Sequence, residues 1–266
     1  MTDDAPVPEP AAELPRLTAF LAGFARRQAP VVRELPCGFV VLDEELRHSR
    51  ADNQVFVDRP PAEPAALPEL ADGALAGLPH RLLTVLDDGV ARAAAPALAA
   101  AGYEQTVDVL MVHRGPVPAP GPGPRRAAEV DLAALRGPLT RRWRGFLPDA
   151  DEETVRQLVE RRNARHRGAP AVRFIGSPAA DGAVASWADL YLDPAAGLAQ
   201  IEDVLTAEAH LGHGHGTAVL TEALRQAAAA GCPTRFLIAE ADDWPRHWYR
   251  RLGFRQVGRI HTFERG

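Results

Sequence analysis

The sequence predicts an α/β fold, a central sheet with helices packed on it. Three observations carry this. Strand-like runs alternate with helical stretches through the whole chain. A strand at Ala199–Thr206 feeds a loop rich in Gly and His, His210–Gly216, which opens a helix at Thr217–Ala230. Two distant stretches share one plan of strand, acidic turn, helix, Gly-aromatic and strand. They are Arg81–Arg114 (RLLTVLDD to AGYEQTVDVLMVHR) and Arg235–Arg265 (RFLIAEADD to LGFRQVGRIHTFER).

In chain order, Met1–Ala11 reads as a loose tail. Ala12–Gln28 places Leu14, Leu17, Phe20, Leu21 and Phe24 at helical spacing. Gly38–Asp43, Gln54–Asp58, Arg81–Leu86 and Gln105–His113 read as strands, with helices at Ala65–Ala76 and Gly89–Ala101. Gly115–Arg126 holds five prolines and three glycines, which continue neither a helix nor a central strand. It divides the chain into 1–114, a linker at 115–126, and 127–266. Beyond it, Glu129–Leu135 reads as a short strand, and Pro138–Phe146 and Asp151–His166 as helices. Ala171–Ile175, Ala183–Leu192 and Ala199–Thr206 follow as strands joined by turn-forming GSPAADG and DPAAG. Arg235–Ala239 is a strand, Asp243–Leu252 a helix ended by Gly253, and Val257–Phe263 the last strand.

Composition narrows the function. With 46% hydrophobic and 24% charged residues the chain is that of an ordinary globular protein. A net charge of −5 argues against a nucleic-acid or membrane-surface binder. Cys37 and Cys232 are the only cysteines and lie far apart, which fits thiols in a reducing compartment. The N-terminus lacks a basic-plus-apolar signal pattern, so a cytoplasmic location is expected.

The loop is where chemistry concentrates. Glycines let successive backbone N–H groups converge on an anion, and a helix N-terminus adds unpaired donors and its positive dipole end. Glu202 and Asp203 lie just upstream, in IEDV. In a regular strand these two acids point to opposite faces.

With these elements in order, the segment Glu129–Arg265 resembles the Gcn5-related N-acetyltransferase (GNAT) family. The resemblance rests on IEDV (Ile201–Val204), on the loop with Gly214 and Gly216 at the signature glycines, and on WYRRLGF (Trp248–Phe254). It implies a GNAT fold, a mixed and mostly antiparallel sheet flanked by helices. The repeated plan makes the first half similar to a degenerate GNAT-like lobe, a tandem arrangement. Three positions depart from the family pattern: Leu211 stands at its Arg/Gln position, His213 at its usual basic residue, and Asp242 at its common Asn.

The resemblance implies acetyl-CoA as co-substrate, a primary amine of a small molecule or peptide as acceptor, and direct attack without an acyl-enzyme. Such a transfer needs a base for the amine, stabilisation of the oxyanion and an acid for the leaving thiolate. Glu202 is the candidate base, directly or through water; the competing reading pairs it with an arginine. Tyr249, four residues before Gly253, is the candidate acid; the competing reading is a core tyrosine. The backbone of Val204, Leu205 and Thr206 would pair with the pantetheine arm. Leu211, Gly212, His213, Gly214, His215, Gly216 and Thr217 would cradle the pyrophosphate, with Asp242 and Tyr249 beside the cofactor. His210, His213 and His215 could share a metal ion with Asp203 or Glu202, but the glycine spacing is better explained by phosphate binding, and no metal is expected. The basic runs RRWR and ERRNARHR read as solvated helix faces or as a surface for an acidic substrate. The sequence leaves open monomer or homodimer and names no acceptor.

Overall fold

The computed structural model describes residues 10–119 and 125–266. The tail expected over Met1–Ala11 and the middle of the expected linker therefore lie outside the described residues, except for Pro10 and Ala11, which open the first helix. The first half runs α1 (Pro10–Gln28), β1 (Val31–Leu35), β2 (Gly38–Leu42), β3 (Gln54–Val57), α2 (Leu67–Ala74), β4 (Arg81–Val85), α3 (Asp88–Ala100) and β5 (Glu104–His113). The second half runs β6 (Ala128–Val130), α4 (Leu132–Phe146), α5 (Glu152–Arg165), β7 (Ala171–Pro178), β8 (Val184–Asp193), β9 (Leu198–Thr206), α6 (His215–Ala229), β10 (Thr234–Glu240), α7 (Pro245–Arg251) and β11 (Phe254–Arg265).

The described strands form one 11-stranded sheet in the order β1-β2-β3-β4-β11-β5-β10-β9-β8-β7-β6. Pairing is antiparallel except for β3 with β4 and β9 with β10. The order contains an exchange. The last strand of the first half, β5, pairs with β10 of the second. The last strand of the second half, β11, pairs with β4 of the first. The two exchanged strands then pair with each other from Phe254↔His113 to Glu264↔Glu104. The repeated plan seen in the sequence thus has a structural counterpart, β4-α3-β5 and β10-α7-β11, with the third member of each crossing into the other half.

Both sheet faces are covered. On one, α6 and α7 pack Val219, Leu220, Ala223, Leu224 and Tyr249 against Ile201, Leu237 and Phe254. On the other, α1 packs Leu17, Phe20 and Phe24 against Leu110, Val112, Tyr191, Phe236 and Ile260. Each such large side chain taken fully out of water contributes about 1.5–3 kcal/mol. Because β5 and β11 bring residues to these layers, the halves share their core.

Three local readings need correction. The strand expected over Glu129–Leu135 stops at Val130, because the Asp131 carboxylate accepts from Ala134 N–H at 2.8 Å and caps a helix that starts at Leu132. An edge strand, β1, precedes β2; its exposed, charged VVREL gives no alternation to read. The last strand is longer at both ends, Phe254–Arg265, because it spans the exchanged partners.

Candidate active site

The site begins where two parallel strands part. The register between β9 and β10 runs from Leu198↔Thr234 only to Ile201↔Leu237. Beyond it, Glu202–Thr206 stays with β8 while Ile238–Glu240 stays with β5. The fork leaves one edge of Glu202–Thr206 without a strand partner. Asp203 deepens the irregularity: it has φ 51°, and it and Val204 have no register partner on β8. Aspartate tolerates this left-handed conformation better than most side chains. The expected alternation of Glu202 and Asp203 between faces assumed a regular strand, and the bulge removes that premise.

Asp203 is bound into a buried charge network. Its Oδ2 accepts from Arg162 Nη2 at 2.9 Å and from Arg165 Nη1 at 3.1 Å. Asp189 on β8, itself fully buried, accepts from Arg162 Nε at 3.2 Å and from Arg165 Nη1. Tyr191 donates to Asp189 at 3.4 Å. Arg162 and Arg165 are each only 2% exposed. The expectation of a solvated helix face for ERRNARHR is therefore overturned for these two: α5 turns them onto the carboxylates of β8 and β9. Burial pushes the Asp203 carboxyl upward, but Arg165, Arg162 and Arg161 outweigh it and hold it well below the usual carboxylate range.

Glu202 has the opposite electrostatics. It accepts from Gln200 Nε2 at 2.7 Å. Burial comes first in raising it; Arg165 and Arg161 pull down, Asp203 and Asp189 push up, and its pKa reaches about 7. Two adjacent acids thus take different roles: one fixed in its charged state by arginines, the other poised to gain and lose a proton near neutrality.

Tyr249 lies under the other face, 6% exposed, its ring 5.8 Å from Phe254 and 5.0 Å from Trp248. Burial, then Asp203 and Asp243, raises its phenol above the usual range, so it keeps its proton. Glu202 and Tyr249 both carry the electrostatic influence of Asp203, one from each side of the fork.

The loop that follows β9 passes through a short turn at Glu208–His210 and reaches α6 with Gly212 at φ 75° and Gly214 at φ 83°. These are left-handed positions that favour glycine. Gly214 is the N-cap, and among the described residues no side chain caps the helix, which leaves its first N–H groups without a side-chain partner. Gly216 sits in a tight place: a Cβ there would meet Thr206 Oγ1 at 3.2 Å and the Trp248 ring at 3.5 Å. The α6 helix starts at His215, two residues before the expected Thr217.

The histidines separate. His215 is buried, its Nδ1 2.9 Å from Ser177 Oγ, and burial lowers its pKa. Its side chain turns inward, beside the ring of His210. His213 is exposed, and Leu211 is 54% exposed. The His210 and His215 rings lie 5.7 Å apart, and among the described residues no three His, Cys, Asp or Glu side chains gather at metal-ligand spacing. Asp242 is exposed in the turn before α7.

Sequence reasoning missed a basic contribution from the end of the linker. A groove of about 810 Å³ runs beside the start of α6, lined by Arg125, Arg126, His213, Gly214, Thr217 and Arg225. Arg125 Nε lies 3.4 Å from the His213 carbonyl oxygen. The signal was present in the two arginines after the last linker proline, but nothing local ties them to a loop 88 residues away.

Across the sheet from α6 lies a second cavity of about 220 Å³ between the halves, bounded by α1, α5 and the sheet, with Glu202 in its wall. Among the described residues no helix is long and apolar enough to cross a membrane.

Residues 139–254 match the model of the acetyltransferase (GNAT) family. No curated protein matches. Among solved structures, a GCN5-related N-acetyltransferase from Kribbella flavida superposes with a TM-score of 0.62 at 20% identity, covering 96% of each chain. A functionally unknown conserved protein from Staphylococcus epidermidis gives 0.63 at 12% identity, covering 88% of this chain and 92% of its own. A tandem GNAT protein from the clavulanic acid biosynthesis pathway gives 0.51 at 16% identity, covering 96% of this chain and 95% of its own. At these identities the likeness is one of fold, and it extends over both halves. The forked strands, the glycine loop and the helix it opens all fall within the residues that match the family model, and the fold of the whole chain is of the GNAT type.

Proposed function

We propose that the chain is an acetyl-CoA-dependent N-acetyltransferase that moves an acetyl group to a primary amine of a small-molecule or peptide acceptor by direct attack. The observation that carries this is the pairing of roles at the fork. Burial raises the Glu202 carboxyl to about 7 at the start of the unpaired strand edge, and burial keeps the proton on Tyr249, which packs on the opposite face of the same fork. The reading divides the chain into an N-terminal lobe, 1–114, a linker at 115–126, and a catalytic lobe, 127–266.

Acetyl-CoA supplies the activated acetyl group. The N–H groups at Gly214–Thr217, with Arg125 and His213 beside them, fit its pyrophosphate. The unpaired edge of Val204–Thr206 fits an extended amide-bearing arm. Glu202 takes a proton from the acceptor ammonium, directly or through one water, and frees the nitrogen lone pair. As nitrogen bonds to the acyl carbon and the carbon–sulfur bond breaks, the Val204 N–H stabilises charge on the acyl oxygen and Tyr249 gives its proton to sulfur, while the second proton, shed by the nitrogen as it becomes an amide, passes through water to restore the Tyr249 phenol. No Ser/Cys–His pair is needed.

A test is calorimetric titration with acetyl-CoA followed by a thiol-release assay over an amine panel. Binding by the wild type that is lost in Gly214→Glu, with turnover, supports the reading; absence of binding, or undiminished binding by the variant, rejects it. One observation favours a second reading, an acyl-CoA sensor without turnover. Leu211, exposed and aliphatic, stands where the family pattern has Arg or Gln. That reading expects cofactor binding without release of thiol for any amine.

A further inference from the structure

The cavity between the halves is built differently on its two sides. On the helix side Leu21 and Phe24 of α1 form an apolar wall. On the sheet side Gln200, Glu202, Asp108 and Thr262 line the floor, with Ile238 and Ile260 between them. The strand exchange creates this floor: Glu202 and Gln200 come from β9, Ile238 from β10, Asp108 from β5, and Thr262 from β11.

The carboxylates in the wall fall into two groups. Asp52 is committed to Arg161 at 3.0 Å, and Asp43 lies 3.7 Å from Arg167. The cavity's own Arg165 is committed to Asp189 and Asp203. Glu202 and Asp108, in contrast, form no ion pair among the described residues. Among the described residues Asp108 accepts only from the Thr262 hydroxyl, at 3.5 Å, with Glu240 adding to the negative field around it and His261 opposing it.

Gln200 supplies an independent sign that something belongs there. It is 2% exposed and lines the cavity, and its Oε1 has no hydrogen-bond partner among the described residues. A buried acceptor left unpaired costs about 1–3 kcal/mol, which a donor from a ligand would offset. The pattern of unmet needs is therefore an acceptor amide beside one carboxylate, and a second carboxylate on a strand two places away. At about 4.8 Å per strand step and with two residues of offset along the strands, the two acids are separated by roughly 12 Å. A volume of about 220 Å³ admits a small molecule.

We infer that this cavity takes a compact dicationic amine, an alkyl diamine whose reacting nitrogen lies at Glu202 and Gln200 and whose distal ammonium lies at Asp108 and Thr262. The apolar wall of Leu21 and Phe24 packs on the methylene chain. Asp108 is then a specificity residue: it touches the substrate far from the reacting nitrogen and selects length and charge. The inference rests on the acetyltransferase reading for the chemistry at Glu202, but not for binding.

The test is calorimetric titration of the full chain with cadaverine and with pentylamine, which has the same carbon chain and one charge, without acetyl-CoA. Cadaverine is expected to bind roughly tenfold tighter or more, the scale of one charge-assisted hydrogen bond. Asp108→Asn is expected to bring cadaverine down to the level of pentylamine in the same variant. Equal binding of the two amines by the wild type overturns the inference, and this comparison needs no variant. Cadaverine binding that is undiminished in a folded Asp108→Asn protein also overturns it. The two readings fail separately. Preference for cadaverine without thiol release keeps the cavity assignment and removes the transferase. Acetylation of pentylamine as efficient as that of cadaverine, with equal affinities, keeps the transferase and removes the diamine.

Discussion

Arg165 Nη1 and Asp203 Oδ2 lie 3.1 Å apart, joining α5 to the bulge of β9, while Glu202, one residue earlier, has no cation of its own. The difference between these neighbours is one of charge environment. Asp203 is neutralised in place and Glu202 is left free to exchange a proton.

The network that holds Asp203 should be expensive to open. Arg162→Met leaves Asp189 and Asp203 with one guanidinium between them, and removing one partner of a buried ion pair costs about 3–5 kcal/mol. Denaturant unfolding of Arg162→Met should show a loss on that scale. A loss within about 0.5 kcal/mol, typical of surface substitutions, contradicts the burial described for α5.

Stability should respond to Glu202 in a definite direction with pH. Its folded pKa, about 7, lies above the ordinary carboxyl value of 4.5. The folded chain therefore binds the proton more tightly than the unfolded one. The stabilisation this gives is present below about pH 4.5 and is lost as pH rises toward 7. Glu202→Gln, which needs no proton, should melt at a higher temperature than the wild type at pH 8, with the gap closing by pH 5. Thermal melts at the two pH values measure it, and a gap that widens toward acid contradicts the assignment.

Gly214 and Gly216 should fail for different reasons. At Gly214 a side chain meets open space but must adopt φ 83°, a conformation costing about 1–2 kcal/mol. At Gly216 the backbone is helical and the obstacle is Thr206 Oγ1 at 3.2 Å. Gly214→Ala should lose stability on that scale, with weaker acetyl-CoA binding. Gly216→Ala in a Thr206→Ala background should recover part of what Gly216→Ala alone loses. Additive effects of the two substitutions argue against the contact.

Tyr249→Phe keeps the ring among Trp248 and Phe254, so its stability cost should stay under about 1.5 kcal/mol. The rate of thiol release should fall by about 10²–10⁴, the range for a positioned acid. An unchanged rate assigns Tyr249 to packing alone.

The strand, glycine loop and helix around Gly214 were legible because each is written locally, in alternation, in glycine and in an Ala/Leu run. The strand exchange was not. The patterns of β5 and β11 are met equally well beside a strand of either half, and only the assembled sheet selects between them. Arg162 and Arg165 were hidden for a related reason. ERRNARHR looks solvated until Asp189 and Asp203 arrive from strands 24 to 41 residues later in the chain. Asp108 is unremarkable within QTVDVLMVH and acquires meaning only when β5 crosses beneath α1.

The central claim, that Glu202 is the base of an acetyl transfer, is tested most directly by the pH–rate profile of thiol release with a primary amine, in the wild type and in Glu202→Gln. The account expects wild-type activity to rise with pH along a limb centred near the value of about 7 raised on Glu202, and expects that limb to vanish in the variant with a fall of about 10²-fold or more. A folded Glu202→Gln enzyme with the wild-type rate and the same limb would contradict it.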